Sequence, residues 1–228
     1  MSDAARPKAW VAWSSGKDAA WALHVVRQAG ELDVVGLLST ITEPYDRVSM
    51  HGVRREIVEA QAEAAGLPLH KVLIPAPCPN EAYEAAMAKA MAAATSLGVG
   101  HVVFGDLHLA DVRRYREEKL APTGIRPVFP LWGADTRKLA LDMIAAGLRA
   151  HVTCLDPRKL PRELAGHAFD LAFLDALPDG VDPCGENGEF HTCVLAGPMF
   201  RRPVAASVGI TVERDGFVFT DLVPCPAP

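Results

Sequence analysis

The sequence has 228 residues, of which 50% are hydrophobic and 22% are charged, and its formal net charge is −5. These values are typical of a globular protein that is long enough for one large domain or two small ones. The acidic balance gives no general attraction to the phosphates of DNA or RNA, and it excludes a strongly basic nucleic-acid-binding protein.

The start of the chain and the cysteines indicate the compartment. The segment Met1–Pro7 lacks the apolar core of a signal peptide. The five cysteines are scattered, odd in number and without a C-x-x-C pair, which favours reduced thiols. We therefore expect a cytoplasmic protein that binds neither DNA nor a membrane.

The first half alternates strand-like and helical patterns. Strands are predicted at Ala9–Trp13, Val34–Ser39, His70–Ile74 and His101–Phe104. Helices are predicted at Lys17–Gln28, Gly52–Ala65 and Asn80–Leu97. This alternation predicts βαβ units on a parallel sheet, an α/β fold. The stretch Ala82–Leu97 is the most apolar, but it is too short to span a bilayer, and we expect it to be a buried amphipathic helix.

The second half is predicted to be a smaller α+β domain. The segment Pro127–Trp132 is rich in proline and aromatic residues, so we divide the chain into a first domain at 1–125 and a substrate-facing domain at 126–228. Helices are predicted at Asp135–Ala146, Pro161–Leu164 and Ala168–Leu174, and a strand is predicted at Ala150–Leu155. A hairpin is predicted from Ala206–Val212 and Phe217–Leu222, which are joined by a turn with Asp215-Gly216.

The join between the first strand and the first helix is a candidate phosphate-binding loop, Ser14-Ser15-Gly16-Lys17-Asp18. Unpaired backbone N–H groups and the helix dipole converge on such a turn and favour an anion. We expect Ser15, Gly16 and Lys17 to offer their N–H groups, and Lys17 to be exposed as a point charge for phosphate. Asp18 either holds Mg²⁺ or caps the helix. The simpler alternative for the whole segment is a solvated turn.

A second polar stretch follows the fourth predicted strand. Asp106 comes at the carboxyl end of that strand, where ligands of open parallel sheets bind, and it is placed to meet Mg²⁺ or a hydroxyl. The charged run Asp111–Glu118 that follows has helical spacing. We expect its Glu117 and Glu118 to be solvated, whereas Arg113 and Arg114 remain open.

The third stretch, VDPCGENGEFHT, is Val181–Thr192 and is rich in glycine, acids and hydrogen-bonding side chains. It is either a polar site cluster or a hairpin turned at Asn187-Gly188. A zinc site made of Cys184, His191 and Cys193 is disfavoured, because it lacks a fourth ligand and the usual spacing.

Three stretches, WSSGKDA, FGDLHLADVRRYRE and VDPCGENGEFHT, together resemble the diphthine–ammonia ligase family of the PP-loop, or adenine nucleotide alpha hydrolase-like, superfamily. The resemblance implies that 1–125 is a doubly wound, Rossmann-like PP-loop domain that binds ATP with Mg²⁺ and that a smaller α+β domain follows it. It also implies adenylation of a carboxylate with release of pyrophosphate, followed by amide formation with ammonia. Two positions depart from the family's loop, because Ser15 replaces a glycine and Ala19 replaces a serine. Loss of one neutral hydrogen bond weakens binding about tenfold at most.

The site residues follow from the motifs and the resemblance. We predict catalytic roles for Lys17, Asp18, Asp106, Glu186 and Glu189. ATP contacts are predicted for Trp13, Ser14, Ser15, Gly16, Lys17, Asp18, Thr40 and Gly105. Acceptor contacts are predicted for Gly188, His191 and Thr192. The acceptor carboxylate belongs to a small molecule or to a protein side chain, and a homodimer is compatible with the sequence.

Two other functional classes share parts of this pattern. A non-catalytic ATP or AMP sensor of the universal-stress type is suggested by Ala19, because the loop then lacks a hydroxyl for phosphate. A thiolating RNA-modifying enzyme also has such a loop, but the acidic charge balance argues against an RNA-binding face.

Overall fold

A computed structural model describes residues 5–225 of the chain. Residues 1–4, the first part of the segment that lacks a signal-peptide core, lie outside that range. Along the first half the elements are β1 (Lys8–Ala12), α1 (Lys17–Ala29), β2 (Asp33–Thr42), β3 (Arg47–Val48), α2 (Arg55–Ala65), β4 (Leu69–Ile74), α3 (Asn80–Ser96), β5 (Val99–Val103), α4 (Ala110–Leu120) and β6 (Arg126–Val128).

The second half continues with α5 (Thr136–Ala145), β7 (Arg149–Leu155), α6 (Leu171–Asp175), β8 (Phe190–Ala196), β9 (Ala206–Arg214) and β10 (Phe217–Pro224). Three short 3-10 helices complete the described secondary structure: Glu43–Tyr45, Ala121–Thr123 and Arg162–Leu164. None of the helices within residues 5–225 combines the length and apolarity needed to cross a membrane.

The first sheet is the predicted parallel sheet. β1 pairs in parallel with β2 and β5, β4 pairs in parallel with β2, and β6 pairs in parallel with β5. Buried apolar side chains cover both faces of this sheet, as expected of a doubly wound fold. The structure adds the short strand β3, which runs antiparallel to the end of β2 and which no sequence pattern indicated.

The second sheet is antiparallel, in the order β8-β7-β10-β9. The β9–β10 hairpin is confirmed, and its turn residues Asp215 and Gly216 have φ values of 52° and 79°. Both values are positive, as the favoured two-residue hairpin turn requires. The alternative hairpin at Asn187-Gly188 is wrong, because β8 pairs with β7 and residues 176–189 before β8 contain no strand.

The two sheets share one buried cluster. It runs from Trp13 and Ile57 in the first half to Val194 and Val218 in the second. The first sheet also extends through Val128, three residues beyond the predicted boundary at 125. The division of the chain into domains at 125/126 therefore stays a prediction.

One packing prediction is wrong. Helix α3 buries only Met91 and Ala94 fully, although its stretch is the most apolar of the sequence. Its many alanines have small side chains that give little area to bury, and the helix lies over the outer face of the first sheet.

Candidate functional site

A cavity of about 740 Å³ lies at the carboxyl ends of the strands of the first sheet. Cavities of this size accommodate small ligands and cofactors. Its walls bring together seven predicted site residues that are far apart in sequence: Trp13, Ser14, Asp18, Thr40, Gly105, Asp106 and Glu186. We call it the first cavity.

The loop after β1 is shaped by two close approaches. Ser15 has a φ of 72°, the left-handed conformation in which glycine is favoured, and its side chain is fully buried. A side chain at Gly105 would meet backbone atoms of Asp18 and Ala19 at 2.7–2.8 Å. Gly105 is therefore required by the contact between the two loops, because no larger residue fits there without moving backbone.

Lys17 is buried behind this loop, so the prediction that it is exposed toward phosphate is wrong. Its side chain is 1% exposed, and its Nζ donates to Asp18 Oδ2 at 2.9 Å and to the carbonyl of Cys184. The ammonium also lies 5.5 Å and 5.2 Å from the ring centres of Phe169 and Phe190. Lys17 does not line the first cavity. It is held there by partners in the second half of the chain that no local pattern reveals.

The pKa values of Lys17 and Asp18 depend on their burial and on the charge of each other. Burial lowers the pKa of Lys17, but Asp18 together with Cys184 and Glu186 outweighs that effect, and the pKa ends above its ordinary value. Burial also raises the pKa of Asp18 against the opposing effect of Lys17. Asp18 Oδ2 is taken by Lys17, whereas its buried Oδ1 has no hydrogen-bond partner among residues 5–225. One carboxylate oxygen at the wall of the cavity is therefore uncommitted.

The second half supports the loop from behind. Thr192 Oγ1 accepts the N–H of Lys17 at 3.1 Å, so the prediction that this amide is available to phosphate is wrong. The N–H of Val194 donates to the carbonyl of Ser15 at 3.0 Å. Gly16 also lies against this support, because a side chain there would meet His51 and the Thr192 carbonyl. Ser15, Gly16 and Lys17 thus contact the second half and do not line the cavity.

Gln61 joins the parts of this junction. Its Nε2 donates to the carbonyls of Ser15 and Val194 at 3.1 Å and 2.7 Å, and its Oε1 accepts the indole N–H of Trp13 at 2.8 Å. Gln61 is fully buried in α2. The signal for it in the sequence is a polar residue inside an otherwise apolar helical face, and the motifs alone did not predict its role.

Asp106 lines the cavity but is already paired. Arg116 donates to its two carboxylate oxygens at 2.6 Å and 3.0 Å, and the same guanidinium lies 4.4 Å from the ring centre of Phe104. Glu117, by contrast, is exposed and pairs with Arg113 at 2.8 Å, as a solvated helix face predicts. Arg113 also packs over Phe129 and Trp132. Helix α4 therefore supplies Arg116 to the site, with Tyr115 and Lys119 beside it, and the charge pattern did not distinguish Arg116 from its neighbours.

The acids of the Val181–Thr192 segment organise backbone. Glu186 lines the first cavity, where its Oε1 accepts the N–H groups of Leu107 and His108 at 2.8 Å and 3.3 Å. Burial raises the pKa of Glu186. Glu189 is buried, and its Oε1 accepts from the Asp182 amide and the Asn187 side chain. Glu189 does not reach the cavity.

The remaining predicted acceptor residues are also away from the first cavity. Gly188 lies in the turn before β8, and a side chain there would meet nothing within 4 Å. The His191 ring packs against that of His51, with centres 4.5 Å apart. Burial, with the positive charge of Lys17, lowers the pKa of His191 to about 4. His51, which lines the first cavity, has its pKa lowered by burial and by His191.

The remaining walls of the first cavity mix apolar and aromatic side chains with charged ones: the Arg116 guanidinium lies over the Phe104 ring and the Lys119 ammonium over the Tyr115 ring. Residues that the sequence patterns did not predict there are Tyr83, Met87, Phe104, Tyr115, Arg116 and Lys119. Aromatic and apolar side chains suit a heterocyclic base, and guanidinium and ammonium groups suit phosphate. Helix α3, predicted only as a packing element, in fact supplies Tyr83 and Met87.

Two family models match the chain. One is described as the diphthamide synthase N-terminal domain and matches residues 7–127; the other is described as the diphthamide synthase C-terminal domain and matches residues 135–215. Together they span all the predicted site residues and every described strand except β10 and the last residue of β6.

Similar proteins carry one name. The diphthine–ammonia ligase of Danio rerio is 27% identical over 90% of this chain and 89% of its own length. The protein of the same name from Schizosaccharomyces pombe (strain 972 / ATCC 24843) is 30% identical over 46% of this chain, and that from Rattus norvegicus is 26% identical over 49%. These two alignments cover 18% and 44% of those relatives.

Proposed function

This chain belongs to the diphthamide synthase family, and from that premise we propose that it is an ATP-dependent ligase of the diphthine–ammonia ligase type. In the proposed reaction an acceptor carboxylate attacks the α-phosphorus of ATP and pyrophosphate leaves. Ammonia then attacks the acyl carbon of the adenylate, and AMP leaves. The acceptor is diphthine, as in the names of the relatives.

The observation that carries this proposal is the composition of the first cavity. It joins the loop after β1, the end of β2, the loop after β5 and Glu186 around one space that is lined by both aromatic and cationic side chains. ATP uses both kinds of side chain, because aromatic and apolar groups suit its base and cationic groups suit its phosphates. Lys17 would act from behind the loop, through its positive potential and by fixing Asp18.

The residues present fit a magnesium ion that comes with ATP. Among residues 5–225 no group of three His, Cys, Asp or Glu side chains could hold a metal by itself. Mg²⁺ usually takes one or two carboxylates together with substrate phosphates. The uncommitted Oδ1 of Asp18 would supply the carboxylate oxygen, whereas Asp106 is paired with Arg116. The ion would neutralise charge on the leaving pyrophosphate.

Asp18→Asn tests the proposal. We expect formation of AMP and pyrophosphate from ATP, Mg²⁺, ammonium and a diphthine-bearing protein to fall about 100-fold, the order of effect of one electrostatic group at a reacting phosphate. Asp175→Asn is the matched control, because Asp175 is exposed and lies at the end of α6. Thermal unfolding of both variants separates a loss of chemistry from a loss of fold. ADP and phosphate as the wild-type products would refute the ligase.

Three finer points belong to the same proposal. The described free cysteines, Cys78, Cys154, Cys184, Cys193 and Cys225, support a cytoplasmic location for the protein. A homodimer stays a prediction. Nothing in the similarities favours the ATP-sensor alternative, because the similar proteins are named as ligases.

A further inference from the structure

A second cavity, of about 460 Å³, opens between the two sheets. One wall comes from the first half, with Tyr45 and Arg47 next to β3. The other wall comes from the β9–β10 hairpin, with Ile210, Arg214 and Phe219. We call it the second cavity, and the nucleotide chemistry proposed for the first cavity does not occupy it.

The two cavities share a wall. Val48 and Met50 line both of them. His51 lines the first cavity and His191 lines the second, and the centres of their rings are 4.5 Å apart. A group bound in the second cavity therefore lies about one side-chain layer from the space assigned to ATP.

Exposed apolar side chains gather at the mouth of the second cavity. Tyr45, Met50, Ile210 and Val212 line it, and they are 56%, 73%, 73% and 40% exposed. They are four of the eleven exposed large hydrophobic residues found among residues 5–225. Exposed apolar side chains that cluster instead of being scattered mark a surface that another protein covers.

The charge at the wall of the second cavity favours an anion. Asp221 and Arg47 line the cavity, and Asp221 accepts from Arg47 at 2.8 Å and from Arg54, which stands outside the lining, at 2.7 Å. At the other end Arg214 lies over the ring of Tyr45, 5.7 Å from its centre, and the neighbouring Asp215 offsets its charge. The charges of the lining groups cancel, and the one extra positive charge comes from Arg54 behind Asp221.

We propose that the second cavity binds the carboxylate-bearing acceptor side chain of a protein partner, with the apolar rim covering the partner's surface around that side chain. This inference rests on the proposed function, which requires an acceptor carboxylate beside the ATP site. The excess charge of the Arg47–Arg54–Asp221 cluster attracts the carboxylate, and the shared wall at Val48 and Met50 brings it next to the nucleotide.

The test uses the full chain and a purified diphthine-bearing protein. Ile210→Asp places a charge on the apolar rim, and Arg214→Glu reverses a charge at the cavity; both residues are exposed, so the fold is retained. We expect each variant to weaken binding of the diphthine-bearing protein, measured by fluorescence anisotropy, about tenfold, while ATP affinity by calorimetry stays within about twofold. Leu171→Asp is the matched control, because Leu171 is 54% exposed and belongs to α6, away from this cavity.

The outcomes separate this inference from the ligase proposal. If the wild-type chain binds the partner but forms no AMP, the ligase proposal is refuted. The Ile210→Asp and Arg214→Glu measurements then still show whether the partner binds at the second cavity. Unchanged partner binding in both variants overturns the site, and so does a wild-type chain that fails to bind the partner. If ultracentrifugation shows a dimer that Ile210→Asp dissociates without changing partner binding, the rim is a contact between copies, and the proposal is overturned.

Discussion

The first half of the chain and the segment 182–194 of the second half meet at the same loop, yet they contribute to it in different ways. The first half provides nearly all of the cavity walls, among them Asp18, Thr40 and Asp106. The segment from the second half contributes one wall residue, Glu186. Its other polar residues bind backbone, as Thr192 binds the Lys17 amide and Glu189 binds the Asp182 amide.

This difference shows that a residue can belong to a functional motif without facing the ligand. A binding site needs groups held to within a fraction of an ångström, and the residues that hold them are buried behind the site. Lys17 illustrates this, because its position in the motif suggests a phosphate contact whereas its contacts place it among the supports.

Lys17→Met gives the largest expected effect and tests this division of roles directly. The substitution leaves the Asp18 carboxylate, which is 27% exposed at the cavity wall, without its partner, and we expect the free energy of unfolding to fall by about 3 kcal/mol or more in urea titrations. The double variant Lys17→Met with Asp18→Asn should recover part of that loss, because no unpaired charge remains.

Lys119→Met is the control for that prediction. Lys119 lines the first cavity and pairs with Glu84 at the surface, so its variant should keep the urea midpoint and lose ATP affinity. If Lys17→Met instead keeps full stability and loses ATP binding, Lys17 acts at the phosphate and the division between walls and supports is wrong.

Lowering the pH should reduce the free energy of unfolding through His191, by less than Lys17→Met does. His191 has a folded pKa of about 4 against 6.5 when unfolded, so the unfolded chain takes up the proton first as the pH falls. Stability is complete above pH 6.5 and is lost as the pH drops toward 4, by at most about 3 kcal/mol for this residue. Urea titrations at pH 7.5, 6 and 5 measure it.

The variant His191→Asn isolates this effect from the carboxylates that titrate in the same range. Its stability should fall less steeply than that of the wild type below pH 6.5. Parallel curves for the two proteins would mean that the ring of His191 does not stay neutral beside His51 and Lys17.

Ser15→Gly gives the smallest expected effect, and it should raise the free energy of unfolding instead of lowering it. Glycine removes the cost of a positive φ, and it also removes a buried hydroxyl that has no hydrogen-bond partner within residues 5–225. The greater flexibility of glycine in the unfolded chain opposes these gains. We expect the free energy of unfolding to rise by about 1 kcal/mol, measured by thermal unfolding. Asp215→Gly, at an exposed turn position with φ of 52°, should gain less. Destabilisation by Ser15→Gly would show that the hydroxyl makes a stabilising contact.

Local patterns predicted the parts of the molecule that depend on neighbours in sequence. Strand and helix periodicity predicted the first sheet, and the rule that ligands bind at the carboxyl ends of parallel strands brought Thr40, Gly105 and Asp106 to one edge. The β9–β10 hairpin followed from the conformational preferences of Asp215-Gly216.

The rest depended on partners distant in the chain. Lys17 looks exposed from its own helix, and only the carbonyl of Cys184 and the rings of Phe169 and Phe190 make it buried. The two-residue strand β3 is too short to show a period, although it forms a wall of both cavities through Val48. The pairing of β8 with β7 likewise has no signal near Asn187-Gly188.

The carboxamide of Gln61 gives the junction a chemical selectivity that shape alone would not provide. Its oxygen meets an indole donor, and its nitrogen meets two carbonyl acceptors, so only one orientation of the group satisfies all three neighbours. A glutamate of the same outline would set an oxygen against the Ser15 and Val194 carbonyls and repel both. Deamidation of Gln61 to glutamate would therefore break both hydrogen bonds, and the repulsion would separate β8 from the loop after β1.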